Sequence, residues 1–375
     1  MRVHWRHAAC LCAVLAFSAL VPSSSHAQLL GELGDSFDFW DSFAGEDAIL
    51  DVGGWAQFGR HGHSNGLFNS HPHNYNLHQG WLYVDKAAST EEHLIGFGGR
   101  MDLMYGVDAA DTQAFGGLGW DTGWNHGDYG WAMPQLYGEM AIGNFSTKVG
   151  HFFTLIGYEV VTAPDNFFYS HAMTMYNSEP FTHTGVLTSY AMGDIATIYG
   201  GWTLGWDTGF ESLNAGSSYL GGIGLNITDD IVFTYMCTAG NFGDRSGGNG
   251  GYSHSILLDM SITEKLNYIV QSDMLRVAAT SENNIGLNQY LLYSLSDRVG
   301  AGLRMEWWQG DDVTGYDYGG RSAAPTDDTS YYAVTAGLNY KPHANITMRP
   351  EIRWNWSPAL DFDEAVFGMD WYLTF

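Results

Sequence analysis

The chain has 375 residues, with 15 Lys and Arg against 41 Asp and Glu, and its formal charge of −26 excludes a phosphate-binding, nucleic-acid role. Glycine is abundant (48), aromatics reach 15% and proline is scarce (9), a balance that suits strands and turns rather than helical membrane spans.

In chain order, Arg2, His4, Arg6 and His7 precede an apolar run from Ala8 to Val21, and Ser25-His26-Ala27 offers a small-x-small cleavage site before Gln28. Residues 1–27 therefore read as a secretory signal peptide, since the run falls short of the ~20 residues an anchor helix needs. Losing Arg2 and Arg6 takes the formal charge from −26 to −28. Cys10 and Cys12 leave with the peptide, so Cys237 has no intramolecular disulfide partner despite export. Residues 28–50 form a lead-in, periplasmic or plug-like, in which Leu33, Phe37, Trp40 and Phe43 are spaced for one short helix.

From residue 51 onward the period is two. Strands are expected at Asp51–Gly59, His78–Lys86, Glu92–Gly106, Gly130–Ile142, Phe145–Phe152, His183–Met192, Asp194–Thr203, Ser217–Ile227, Asp230–Thr238, Tyr252–Ser261, Glu264–Met274, Ile285–Leu295, Arg298–Trp308, Ser330–Tyr340, Ile346–Trp356 and Ala365–Phe375. Tight links such as Gly143-Asn144, Gly193, Thr228-Asp229 and Ser296-Asp297 alternate with long polar ones. One-sided loops in an even count of about sixteen strands predict an all-β, up-and-down antiparallel transmembrane barrel, with short periplasmic turns, long extracellular loops and both termini on the turn side. Segments of about nine to twelve residues, rising ~3.3 Å each and tilted ~45°, span roughly the 25 Å apolar band of such a barrel.

Face chemistry agrees. Ile346, Met348, Pro350, Ile352, Trp354 and Trp356 alternate with Thr347, Arg349, Glu351, Arg353 and Asn355. Val299, Ala301, Leu303, Met305 and Trp307 are set against Arg304 and Glu306, and Ile95, Phe97, Met101 and Leu103 against Arg100 and Asp102. Charges restricted to one face predict a wet interior, because an unpaired charge in lipid is costly. Gln289 breaks the apolar face of its strand. A sixteen-strand barrel has room for an aqueous channel, which implies passage of small hydrophilic solutes or ions.

The run Gly157-Tyr158-Glu159-Val160, then Ala163-Pro164-Asp165-Asn166-Phe167-Phe168-Tyr169-Ser170, then Glu179-Pro180-Phe181-Thr182-His183-Thr184-Gly185-Val186-Leu187 resembles the middle of the putative beta-barrel porin-2 (OmpL-like) family. The resemblance implies an outer-membrane porin without catalytic residues or cofactor, and it supplies no substrate. That run lies in 153–182, the loop after the fifth strand, which by analogy with general porins is expected to fold into the lumen and constrict it. Acids on the loop (Glu159, Asp165, Glu179) would then face wall charges (Arg304, Glu306, Arg349, Glu351, Arg353, with Arg100 and Asp102), giving a transverse field on polar solutes. The alternative is pairing along one strand, with the loop acids in solvent.

Other acids crowd the remaining loops: Asp108, Asp111, Asp121, Asp128, Asp311, Asp312, Asp317, Asp327, Asp328, Asp361, Asp363 and Glu364. They read as a solvated outer surface; the sharper reading is a cation-enriching vestibule. His61, His63, His71, His73 and His78 gather in the first long loop, where His at two-residue spacing can ligate Zn²⁺ or Cu²⁺, but the irregular spacing favours an ordinary polar loop and no metal. Gly119-Trp120-Asp121-Thr122-Gly123 recurs as Gly205-Trp206-Asp207-Thr208-Gly209. Paired Asp-Thr-Gly triplets suggest aspartic-protease chemistry, but Trp and Phe beside them suit loop-mouth turns instead, and no other nucleophile or acid pair stands out.

The terminal strand presents Phe367, Met369, Trp371, Leu373 and Phe375 on one face. Trp371, Leu373 and Phe375 resemble the end read by the barrel-assembly machinery. The expected partners are thus outer-membrane lipids, that machinery, small solutes and two further copies in a trimer. A structural or adhesive barrel with a closed lumen is the rival reading.

Overall fold

The computed structural model describes residues 33–38, 40, 49–64, 66, 68–90, 94–115, 120–278, 282–310 and 329–375. The signal peptide 1–27 lies outside the described residues, as do most of the lead-in, Phe43, Gly119 and the loop acids Asp311, Asp312, Asp317, Asp327 and Asp328.

Sixteen strands follow one another: β1 (Asp51–His61), β2 (Asn76–Lys86), β3 (Ile95–Gly106), β4 (Gly130–Ile142), β5 (Phe145–Phe153), β6 (Thr182–Met192), β7 (Ala196–Thr203) and β8 (Ser217–Thr228). The second half continues with β9 (Ile231–Asn241), β10 (Gly250–Thr263), β11 (Leu266–Val277), β12 (Glu282–Ser296), β13 (Val299–Gly310), β14 (Thr329–His343), β15 (Ile346–Ser357) and β16 (Phe362–Thr374). Each pairs antiparallel with its neighbours, and β1 pairs with β16, so the sheet closes and leaves no edge to template aggregation. Phe375 completes that seam: its N–H donates to Gly54 O and its carbonyl accepts from Gly54 N–H, both at 3.0 Å.

Turns of two residues at 143–144, 229–230, 264–265, 297–298 and 344–345 sit at one end, and 62–75, 107–129 and 154–181 at the other. Several strands run past the apolar alternation that predicted them, which shortens three outer links to 242–249, 278–281 and 358–361. Backbone pairing is not limited by the bilayer, so polar segments above it continue the ladder.

Strand alternation turns one set of side chains outward. On β16, Phe367, Trp371 and Leu373 are exposed while Gly368, Asp370 and Tyr372 are buried. Gln289 faces outward too, and its side-chain oxygen accepts a 2.6 Å bond from the hydroxyl of Tyr268 on the adjacent strand, which satisfies an amide that lipid cannot.

The lead-in differs from expectation. Residues 33–38, with Leu33 and Phe37, are non-helical. Phe37 exchanges two 2.7 Å hydrogen bonds with the side-chain amide of Asn345 on the turn between β14 and β15. Asn345 also donates to Thr374 O at 2.9 Å, tying the lead-in to the closing strand. Trp40, by contrast, is helical, so any helix begins after Phe37 rather than at Leu33.

Deleting Phe375 removes both seam bonds and one member of the outward aromatic row. Folded, heat-modifiable barrel on a semi-native gel should drop sharply against wild type; undiminished yield with altered channels would argue against an assembly role for this end.

Candidate functional site

A segment without regular structure can be buried only if its backbone groups find partners. The segment 154–181 enters the lumen, and the wall supplies them. It contains one short helix, α2 (Met173–Ser178), and a 3₁₀ turn at Ala163–Asp165; a second short helix, α1 (Ala109–Thr112), belongs to the loop after β3.

Three arginines carry much of the contact. Arg349 on β15 donates to the carbonyls of Ala163 (2.8 Å), Asn166 (2.7 Å) and Phe168 (3.2 Å), while Asp370 on β16 holds its other edge at 3.0 and 2.5 Å. Arg353, four residues along the same face, donates to His171 O at 2.7 Å and to Glu306 Oε2 at 3.1 Å. Arg304 on β13 reaches Glu159 Oε1 (2.6 Å), Ser170 O (2.7 Å) and Glu306 Oε1 (2.7 Å). A guanidinium with five donors in a rigid fork suits this task, because one side chain serves several carbonyls at once.

The wall acids take the complementary role. Glu351 accepts from the N–H groups of Tyr169 (2.9 Å) and Ser170 (3.0 Å), and Glu306 from Met173 N–H (2.8 Å). Farther round the same wall, past β16 and β1, Gln79 of β2 donates to Val161 O at 2.7 Å and accepts from Ala163 N–H at 3.1 Å. Asp207 Oδ1, in the loop after β7, accepts from Phe181 and Thr182 N–H at 2.6 and 2.8 Å, fixing the exit of the segment.

Sequence-predicted residues thus converge, but in a different relation from the one expected. Arg304, Arg349 and Arg353 are at most 2% exposed. They meet the loop directly rather than across a gap, Arg304 at Glu159 and all three at loop carbonyls, and form one buried seam. Asp165 stays on the loop, bonded to Thr162 Oγ1 at 2.6 Å, and Arg100 pairs with Asp102 at 2.6 Å on β3, four strands from β15. Asp102 also takes Trp81 Nε1 at 3.0 Å. Trp371, Leu373 and Phe375 lie at the β1–β16 junction, and Trp371, next to Asp370 in the chain, is on the outer face while Asp370 holds Arg349 on the inner one.

Packing seals what the hydrogen bonds align. Val161, Met175 and Phe181 bury against Trp55, Trp81 and Met104. Phe167 and Phe168 seat on Gly302 and Gly337: a methyl group at Gly302 would collide with the Phe167 ring, and one at Gly337 would lie 3.1 Å from Phe168. Those inward glycines are receptors for loop rings.

The histidines disperse. His61 stacks on Tyr169 with centroids 3.9 Å apart, and His78 bridges Tyr169 Oη (2.6 Å) and Asp108 Oδ1 (2.7 Å). His63 pairs with Glu364, and His71 lies 3.4 Å from Asp128. His73 adopts a positive φ of 69° in the same loop. Among the described residues no three His, Cys, Asp or Glu side chains converge as a metal cluster. Asp108 and Asp121 are buried rather than solvated.

The Trp-Asp-Thr-Gly repeats meet above the segment. Trp120 packs edge-on against Phe210 at 5.0 Å, and Phe115 forms a bridge with Thr208. Each carboxylate serves backbone: Asp121 accepts from Met133 N–H at 3.3 Å, as Asp207 does from the loop exit. Burial pushes Asp121 up to about 6 and Asp207 up to about 7. Beside them lies a cavity of ≈ 460 Å³ whose lining includes Asp111, Tyr176, Glu179, Phe181, Asp207 and Arg245.

The sequence matches the putative beta-barrel porin-2, OmpL-like family over residues 47–367. The chain belongs to that family. The porin fold is shared with solved structures at low identity. The outer membrane channel DcaP of Acinetobacter baumannii aligns at 10% identity with TM-score 0.60, over 87% of this chain and 97% of its own. OprB of Pseudomonas putida aligns at 10% with TM-score 0.62, over 92% and 99%. OmpT of Vibrio cholerae, in its trimer form, aligns at 13% with TM-score 0.55, over 87% and 99%. No curated protein matches the sequence. This porin is an outer-membrane channel protein, and its family and fold are those of passive diffusion pores.

Glu159 sets a pH dependence for the seam. Burial alone would raise its pKa, but Arg304 and His171 outweigh that and hold it at about 2 against an ordinary 4.5. A depressed folded value means stabilisation that is complete above the free-carboxylate range and lost as pH falls through 4.5 toward 2. Amide exchange in 155–181 should therefore quicken over that fall in pH. Arg304→Ala, which strands a buried carboxylate at a cost of about 3–5 kcal/mol, should show quickened exchange already at neutral pH.

Proposed function

We propose that this porin conducts small hydrophilic solutes and ions along a path narrowed by 154–181, and that the buried arginine seam sets the width of that path. The observation that carries the reading is the set of bonds from Arg304, Arg349 and Arg353 to loop carbonyls and acids, which ties the loop to one side of the barrel. Arg100, Asp102, Asp165 and Glu179 belong to the same narrowing as lining or loop-ordering groups. The segment 1–27 acts as a cleaved signal peptide, residues 28–50 as a periplasmic lead-in, and 51–375 as the pore domain. Trp371, Leu373 and Phe375 form the end that the assembly machinery reads. Because OmpT of Vibrio cholerae has a trimer form, a homotrimer is the proposed assembly, checked by a native gel after gentle lipid extraction.

The apolar packing of Val161, Met175 and Phe181 on Trp55 and Trp81 favours a second reading, a barrel closed at loop level that serves a structural or adhesive role. Conductance separates the two. Wild-type protein in planar bilayers should give discrete steps, whereas insertion without current supports the closed barrel.

Under the conducting reading, Arg349→Ala with Arg353→Ala releases four loop carbonyls. Single-channel conductance should rise and current noise should increase, while an unchanged channel would remove the seam from the pore. Acids outnumber bases along the mouth cavity, so reversal potentials in a salt gradient should show cation preference. Anion preference would contradict an acidic vestibule.

A further inference from the structure

Glu179, at the end of the lumen loop, backs onto β11, and the two elements place carboxylates on either side of one amide. Gln271 Nε2 donates to Glu179 Oε1 and to Asp273 Oδ2, each at 2.7 Å. Both acids are buried, at 3% and 0% exposure. The charges that act most on Glu179 are acids as well, Asp273 and Glu159. The bases nearby are engaged elsewhere: Arg304 holds Glu159 and Glu306, and Arg245, on the cavity side, acts on Asp207.

The surroundings are rich in oxygen. Ser255 stands opposite Asp273 in the β10–β11 register, and Asn288 stands opposite Gln271 in the β11–β12 register. Gly286, which pairs with Asp273, has no side chain, and the methyl of Thr174 occupies the room a Cβ would need. Thr174 Oγ1 thereby accepts from Asn288 Nδ2 at 2.5 Å. Asp273 Oδ1, Asn288 Oδ1 and Ser255 Oγ, on three adjacent strands and almost wholly buried, have no hydrogen-bond partner. Besides Gln271, the hydroxyls of Ser255 and Thr174 act on Asp273, but none of them brings a counter-charge, and two buried carboxylates without one are costly.

We propose that this nook binds a hard divalent cation, with Asp273 as its charged ligand, Asn288, Ser255 and Thr174 supplying neutral oxygens, and Glu179 as the second charge. A proton shared between the carboxyls would supply one donor, whereas a cation engages several open oxygens together and offsets both charges. Ligands drawn from three strands and a loop make an irregular cage, which suits Ca²⁺ better than octahedral Mg²⁺. Glu179 also lines the ≈ 460 Å³ mouth cavity, which gives the ion an approach from outside. Such an ion would clamp α2 to β11 and β12, beside the β13 end of the arginine seam, where Asn288 stands in register with Glu306. The site is independent of whether the pore conducts.

Calcium binding to the detergent-solubilised full-length protein, followed by calorimetric titration after chelation, tests this without any current measurement. Wild type should take up one high-affinity Ca²⁺ and melt at higher temperature with it. Asp273→Asn and Glu179→Gln, each confirmed as folded by heat-modifiability, should bind about tenfold weaker or worse. No uptake by folded wild type overturns the proposal, and this arm stands even if a variant fails to fold. Undiminished uptake in both variants assigns the ion to surface acids and also overturns it. So does stabilisation by mild acid with no response to Ca²⁺, the signature of a shared proton.

Discussion

Everything inside this barrel depends on how an irregular segment is kept in a space that would otherwise be water. Backbone N–H and C=O groups must be paired wherever they are buried, and 154–181 has too little helix to pair its own. The wall therefore does it with charged side chains. Arginine forks take carbonyls at Ala163, Asn166, Phe168, Ser170 and His171, and the carboxylates of Glu306 and Glu351 take N–H groups at Tyr169, Ser170 and Met173. Charge-assisted bonds of this kind are roughly twice as strong as neutral ones, which works against the desolvation cost of the ions themselves.

This arrangement makes loop position and lumen electrostatics one problem. A guanidinium bound to three carbonyls and a carboxylate projects little field into a channel, so the seam orders the loop more than it orders solutes. The same segment carries the loop rings seated on Gly302 and Gly337 and the side chains that pack on Trp55 and Trp81, so seam and packing hold one position together. Position is over-determined: arginines hold the segment on the β13–β16 side, Gln79 on β2 and Asp207 at its exit.

Strand number, order and facing were legible because period-two alternation survives wherever one face meets lipid, as on β15 and β16. Strand ends were less so, since pairing continues into polar residues that carry no alternation signal. The convergence of Glu159 with Arg304 was readable as opposite charge at a shared level, but their direct contact was not, because a charge pattern does not say whether water intervenes. His61 and His78 looked like candidate ligands only while their partner was unknown; Tyr169, far away in sequence, is that partner. The outward Gln289 was a visible defect whose remedy, Tyr268, sits on the neighbouring strand and can be found only once the register is known.

The charge balance gives the seam a further consequence. Bases are scarce here, 15 against 41 acids, and three arginines lie wholly within the loop–wall contact. Each arginine committed to carbonyls is one that cannot line the solute path. What remains along the mouth cavity is weighted toward acid, with Asp111, Glu179 and Asp207 against Arg245. Two of those acids are themselves shaped by burial: Asp207 is pushed up to about 7, and Glu179 is raised by desolvation and by Asp273. Field at the mouth therefore depends on how these groups are protonated or counter-charged, while the field at the seam is fixed by ion pairs. An acidic porin that uses its arginines as structural clamps leaves an entrance whose charged groups are mainly acids as the physical remainder of solving a backbone problem.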